Sequence, residues 1–263
     1  MTCCASFAVS PPASLSAPLE AWWPALLAVL LISAISLVGA ASLLVSEERV
    51  RRALPYLVSV AVGALLGSTF LHLLPDLAEG GFTPGLGAQV LAGMLLFFLL
   101  ERFLHSHAHG HDQHGAVAPF AWLNLAGDGL HNFADGMMVA AAWMQGSGAG
   151  LAATIAVALH EIPQELSDIG ILLHGGFSRG KAVLFNLLTA LLAVLGAVLM
   201  LAVGHRVEGL SDVVLALAAG GFIYIAAADL IPELHRERRA LATVVQVLLL
   251  MGGAAAMGLF DGH

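Results

Sequence analysis

The stretch Asn124–Gly136 reads NLAGDGLHNFADG, and Met137–Met144 continue it as MMVAAAWM. Apolar residues long enough to cross a bilayer here carry Asn124, Asp128, His131, Asn132 and Asp135 among them. Separations of three and four residues put these side chains on one face of a helix. A second such stretch follows at His160–Asp168, HEIPQELSD, with His160, Glu161, Gln164, Glu165 and Asp168 at the same kind of spacing. An ionised group at the centre of a spanning helix costs about 2.5–3.5 kcal/mol even on the gentler insertion scale. Neither stretch contains a Lys or Arg to offset its acids. A bound divalent cation is the economical answer, and the two polar faces are expected to meet.

The rest of the chain supplies the membrane. Of 263 residues, 59% are hydrophobic and only 11% charged, and mean hydropathy is +0.90, too apolar for the surface of a water-soluble domain. Breaks at Pro, Gly and charge clusters give eight expected spans, near residues 22–45, 53–74, 85–104, 120–144, 151–173, 182–203, 213–230 and 241–260. The expected fold is therefore an all-α integral membrane protein, an eight-transmembrane-helix bundle in a single domain over residues 1–263. Residues 1–20 are expected as an N-terminal tail and residues 105–119 as a cytoplasmic loop. With both termini outside, nine of the ten basic residues fall on one side: Arg49, Arg51, Arg52, Arg102, Arg179, Lys181, Arg236, Arg238 and Arg239, against Arg206. That is the bias the positive-inside rule requires of the cytoplasmic face.

Several classes are disfavoured. No Lys or Arg precedes Arg49, so a cleaved secretory leader is not expected in the first 20 residues. The net charge of −8, without a basic patch, speaks against a nucleic-acid partner. No phosphate-binding GxxxxGK[ST] loop exists for ATP-driven pumping, and an exporter with six spans and a soluble metal-binding domain has no room here. Cys3 and Cys4 are the only cysteines; being adjacent, they form no ordinary bridge with each other, and their placement argues against a Cu(I) carrier. No organic cofactor is expected.

Imidazole with carboxylate and amide oxygens suits Zn²⁺ first, with Fe²⁺, Mn²⁺ and Cd²⁺ as further members of the class; a calcium or magnesium cage would not use His131 and His160. The third connection adds His105, His107, His109, His111 and His114, a tract able to hold zinc loosely. His72 and Asp76 are candidates for receiving metal at the outer end, and Asp229, Glu233 and His235, beside Pro232, for releasing it at the inner end. His174, His205 and His263 are expected at the surface. Pro163 leaves the carbonyl of Leu159 without its helical donor. An interhelical hydrogen-bond network is the alternative use of these polar groups. HEIPQ also approaches the HExxH zinc-protease helix, so an intramembrane zinc-dependent hydrolase with Glu161 activating water is the other functional alternative; Gln164 in place of the second His argues against it.

At these residues the chain resembles the ZIP family of metal transporters, in particular its histidine-rich branch with an HExPxE signature. The likeness rests on NLxxDxxHNFxDG at Asn124–Gly136, HExPxExxD at His160–Asp168, HLLP at His72–Pro75, ADLIPEL at Ala228–Leu234 and the His-rich third loop. It implies a paired metal site between the fourth and fifth helices, with His131, Asp135, His160 and Gln164 forming one position. Asn132 and Glu161 would contribute to a second, with Asp135 and Gln164 at the shared boundary. It also implies uptake of divalent metal toward the cytoplasm across the plasma membrane (the inner membrane in a bacterium), a homodimer, and a helix bundle that slides past a scaffold. Two departures stand out: Gln164 replaces a histidine, and residues 187–196 contain no carboxylate for the second position. Glu165 or Asp168 is the acid available to compensate, and Asp128 is a further candidate metal residue.

Overall fold

In the computed structural model, residues 19–107, 117–236 and 239–260 are described. Residues 1–18, His109, His111, His114, Arg238 and His263 lie outside them. Among the described residues there is no strand. Within the described residues eight helical rods follow one another: α1 Leu19–Ser42, α2 Glu47–Leu77, α3 Pro84–His107, α4 Pro119–Gln145, α5 Ser147–His174, α6 Arg179–Val203 and α7 Leu210–Leu234, and α8 Ala240–Met257. Six of them (α1, α2, α3, α6, α7 and α8) are long and apolar enough to cross a bilayer. The other two, α4 with 27 residues and α5 with 28, are longer than the ~20 a span needs, and they are the pair that carries the polar stripes.

The bundle is apolar outside and polar within. Leu91, Leu95 and Leu99 of α3, Leu184, Leu188 and Leu195 of α6, and Val244, Leu248 and Met251 of α8 are all exposed. Asp128, Asn132, Asp135, His160, Glu161, Glu165 and Asp168 are all buried. This is the arrangement lipid selects, since hydrocarbon cannot solvate an acid. α4 occupies the centre, touching α1, α3, α5, α6 and α7, whereas α8 packs mainly on α2.

Three details differ from what hydropathy suggests. The connection between the fourth and fifth helices, expected to be about six residues, is Gly146 alone, at φ 153° and ψ 170°. No atom lies within 4 Å of where its Cβ would be, so it is the backbone conformation that calls for glycine there. Helix α3 runs on through His105 to His107, so the first two histidines of the expected loop belong to its last turns. Pro163 does not break α5, which is continuous around it.

Proline leaves its mark elsewhere. In α2 the π-helical segment Thr69–Leu73 precedes Pro75, and in α7 the π-helical segment Ile225–Leu230 precedes Pro232. A proline offers no N–H to the turn before it and its ring crowds the carbonyl four residues back; a widened turn accommodates both. The helix ends HLLPDL and DLIPEL thus share one local structure.

Close contact between α4 and α6 is set by two glycines. A Cβ on Gly136 would lie 1.8 Å from the carbonyl oxygen of Ala193, and one on Gly196 would lie 2.0 Å from that of Phe133. Small residues are what let membrane helices approach so closely. Gly136→Val is therefore expected to destabilise the protein by about 1–3 kcal/mol or more, because the opposing atoms are backbone and cannot swing aside. A lowered unfolding temperature in detergent checks this; an unchanged one would mean the two helices separate freely.

Candidate metal centre

Asp135 lies ten residues before the end of α4, and His160 a comparable distance into α5. With a single residue joining the helices, the two reach the same depth. His160 Nε2 stands 3.1 Å from Asp135 Oδ2 and 3.6 Å from Glu161 Oε1. His131 Nε2 stands 3.5 Å from Asp135 Oδ2, 3.6 Å from Glu161 Oε1 and 3.2 Å from His160 Nε2. One ligand atom from each of His131, Asp135, His160 and Glu161 lies within 4.8 Å of all the others, and all four residues are buried. Four tetrahedral donors around Zn²⁺, each 2.0–2.1 Å from it, are about 3.3 Å apart. The observed separations are those of a ligand shell.

The groups around this cluster orient it. A carbonyl only accepts, so His160 Nδ1 carries a proton and donates it to Ala156 O at 3.0 Å, which leaves the lone pair of Nε2 facing the cluster. Phe97 meets the His131 ring edge to face, with centroids 5.9 Å apart, and Phe222 does the same for His160 at 5.7 Å. Neither Asp135 Oδ2 nor Glu161 Oε1 has a properly aligned hydrogen-bond donor. Buried oxygens left in that condition are costly unless a cation takes up their lone pairs.

Of the nine candidate ligands named from the sequence, four form this cluster. The other five lie around it. Asn132 gives its amide to Asp128, at 2.7 Å to Oδ1 and 3.1 Å to the carbonyl. Gln164 is half-buried and lines a cavity of about 950 Å³. Glu165 accepts a short hydrogen bond from Asn186, and Asp128 accepts one from the Thr189 hydroxyl. Asp168 accepts from Asn124 Nδ2 at 2.8 Å. Asn186 and Thr189, both on α6, were not anticipated.

The cluster is closed on one side and open on the other. Toward Gly146 it is capped by buried apolar side chains, including Met138, Val139, Val157, Leu215 and Phe222. In the opposite direction the cavity begins at His131 and descends past Asp128, Gln164 and Asp168 to His174, Glu233 and Arg236. His174, expected at the surface, is exposed but stands at this mouth beside Phe120. Asp229 and Glu233 line the cavity as well. At the other end Asp76, Glu79 and Asp212 line a smaller pocket of about 610 Å³. His72 is not among its lining residues; its Nε2 lies 2.7 Å from the carbonyl oxygen of Met257, tying α2 to the end of α8.

A polar-lined helical bundle with a buried two-histidine, two-carboxylate centre has the makings of a membrane metal-cation transporter, and comparison with known proteins agrees. The family described as ZIP Zinc transporter matches residues 19–119 and 106–261; the chain belongs to the ZIP family. It is 38% identical over 224 residues to Zinc transporter ZIP13 of Pongo abelii, covering 79% of this chain and 67% of that protein. Zinc transporter SLC39A7 of Rattus norvegicus is 32% identical over 307 residues, covering 81% of this chain and 66% of the relative. Human Zinc transporter ZIP6 is 42% identical over 138 residues, covering 51% of this chain and 18% of its own length. The chain thus spans about two thirds of the first two relatives and under a fifth of the third. These relatives are named as transporters, and the hydrolase alternative is set aside.

Removing one donor leaves three of the four candidate ligands. Asp135→Ala and His160→Ala are each expected to weaken equilibrium zinc binding to the purified protein by about a hundredfold or more, beyond what loss of an orienting partner costs. Calorimetry reads this directly, and unchanged affinity in both would remove the cluster as the metal centre.

Proposed function

We propose that this chain carries Zn²⁺ through the membrane toward the end of the bundle rich in basic residues, with His131, Asp135, His160 and Glu161 as its binding site. The observation that carries the reading is the four-donor cluster at the head of a cavity that leads to one face only. Arg51, Arg52, Arg102, Arg179, Lys181 and Arg236 mark that face, and the positive-inside rule makes it cytoplasmic. The conformation is then the one that releases metal inward, and the apolar cap beyond Met138 and Phe222 is the closed outer gate. All eight rods cross the bilayer in this reading, with both termini outside.

The donor set also admits Fe²⁺, Mn²⁺ and Cd²⁺, since two imidazoles and two carboxylates suit the whole class. One metal is held at a time: Asn132, named for a second position by family resemblance, is engaged with Asp128, and residues 187–196 hold no carboxylate to complete that position. A homodimer in the plasma membrane, or in the inner membrane of a bacterium, is what the family resemblance suggests.

Two experiments test this. Purified protein in liposomes should accumulate zinc, and Asp135→Ala or His160→Ala should reduce the rate to that of empty vesicles; equal flux in all three overturns the reading. Metal binds the deprotonated ligands, so each proton on an imidazole or carboxylate competes with it. Lower pH therefore weakens loading, and uptake from submicromolar zinc is expected to fall about tenfold between about pH 7.5 and 5.5. A rate that rises on acidification would contradict that competition.

A further inference from the structure

Beneath the four-donor cluster three more carboxylates are buried, and the structure treats them unequally. Glu165 is held by Asn186, and Asp128 by Thr189 on one oxygen and Asn132 on the other. Asp168 has only one oxygen engaged: Asn124 Nδ2 holds Oδ1 at 2.8 Å, while Oδ2 has no hydrogen-bond partner. The residue is 6% exposed and lines the cavity. It stands eight residues beyond His160 on α5, about 12 Å toward the cavity mouth at 1.5 Å per residue, with Gln164 between them on the same wall.

We propose that Asp168 is a transfer ligand, the carboxylate that receives the divalent transition-metal ion as it leaves the four-donor cluster, with Asn124 as the residue that orients it. The inference rests on the transport reading above. A doubly charged ion leaving four donors for the cavity below needs a negative charge on its way, and one that lets go. A single carboxylate oxygen, completed by water, binds such an ion weakly enough for it to leave again. Asp128, with a donor on each oxygen, does not compete for the ion, and Glu165, held on one oxygen by Asn186, is not among the residues that line the cavity. In this arrangement α6 selects which acid takes part.

Asp168→Asn keeps the shape and the oxygen that Asn124 contacts, and removes only the free charge. In the full-length protein, equilibrium ⁶⁵Zn²⁺ binding is expected to stay within about twofold of the parent, while the maximal uptake rate into liposomes falls about tenfold. An unchanged rate overturns the proposal. So does a parallel loss of binding, which would make Asp168 part of the four-donor cluster. His160→Ala, measured beside it, separates the two readings: if that variant binds and transports as the parent does, the transport site itself is misassigned. Asn124→Ala gives a second route that leaves the charge in place. It should slow uptake by itself and add nothing in the Asp168→Asn background; additive losses would overturn its orienting role.

Discussion

Asp135 and Glu161 confront each other within a helical bundle, and neither parent helix contains a Lys or Arg to relieve them. Two ionised carboxylates at mid-membrane cost roughly 5–7 kcal/mol on the insertion scale, a large share of the stability of any domain. The features around them respond to this constraint. Two imidazoles converge on the same point, one with its tautomer set by the carbonyl of Ala156. Phenyl edges from α3 and α7 close the sides, and apolar residues seal the top. A cluster so assembled concentrates negative charge, and in the proposed reading a divalent ion relieves it.

The single-residue link at Gly146 and the glycine contact at Gly136 act on the same cluster from a distance. The first makes α4 and α5 antiparallel neighbours, so that Asp135 and His160 meet at one depth. The second brings α6 close enough for Asn186 and Thr189 to reach acids on α5 and α4. Binding chemistry, helix spacing and turn conformation are in this way one problem. A bulkier residue at position 136 disturbs the metal centre without touching it.

Much of this was legible before any coordinates. The spacing of polar residues within two apolar stretches identified the facing stripes, and the four clustered donors were all among the ten residues it singled out. The length of the loop was not legible, because Gln145 and the small residues after Gly146 look like a turn to hydropathy while forming helix. Asn186 and Thr189 escaped because a single amide or hydroxyl in an apolar helix produces no periodic pattern. His72 looked like a ligand beside a proline, but its partner is a backbone carbonyl 185 positions away, a pairing that no local reading contains.

The two-imidazole, two-carboxylate shell has an electrical consequence. Two negative charges around a doubly positive ion sum to zero, so the loaded centre is indifferent to membrane voltage. An empty centre with both acids ionised is not: moving two charges through a 100 mV field involves about 4.6 kcal/mol. In the proposed cycle, unless protons ride back on Asp135 and Glu161, voltage acts on the unloaded half alone.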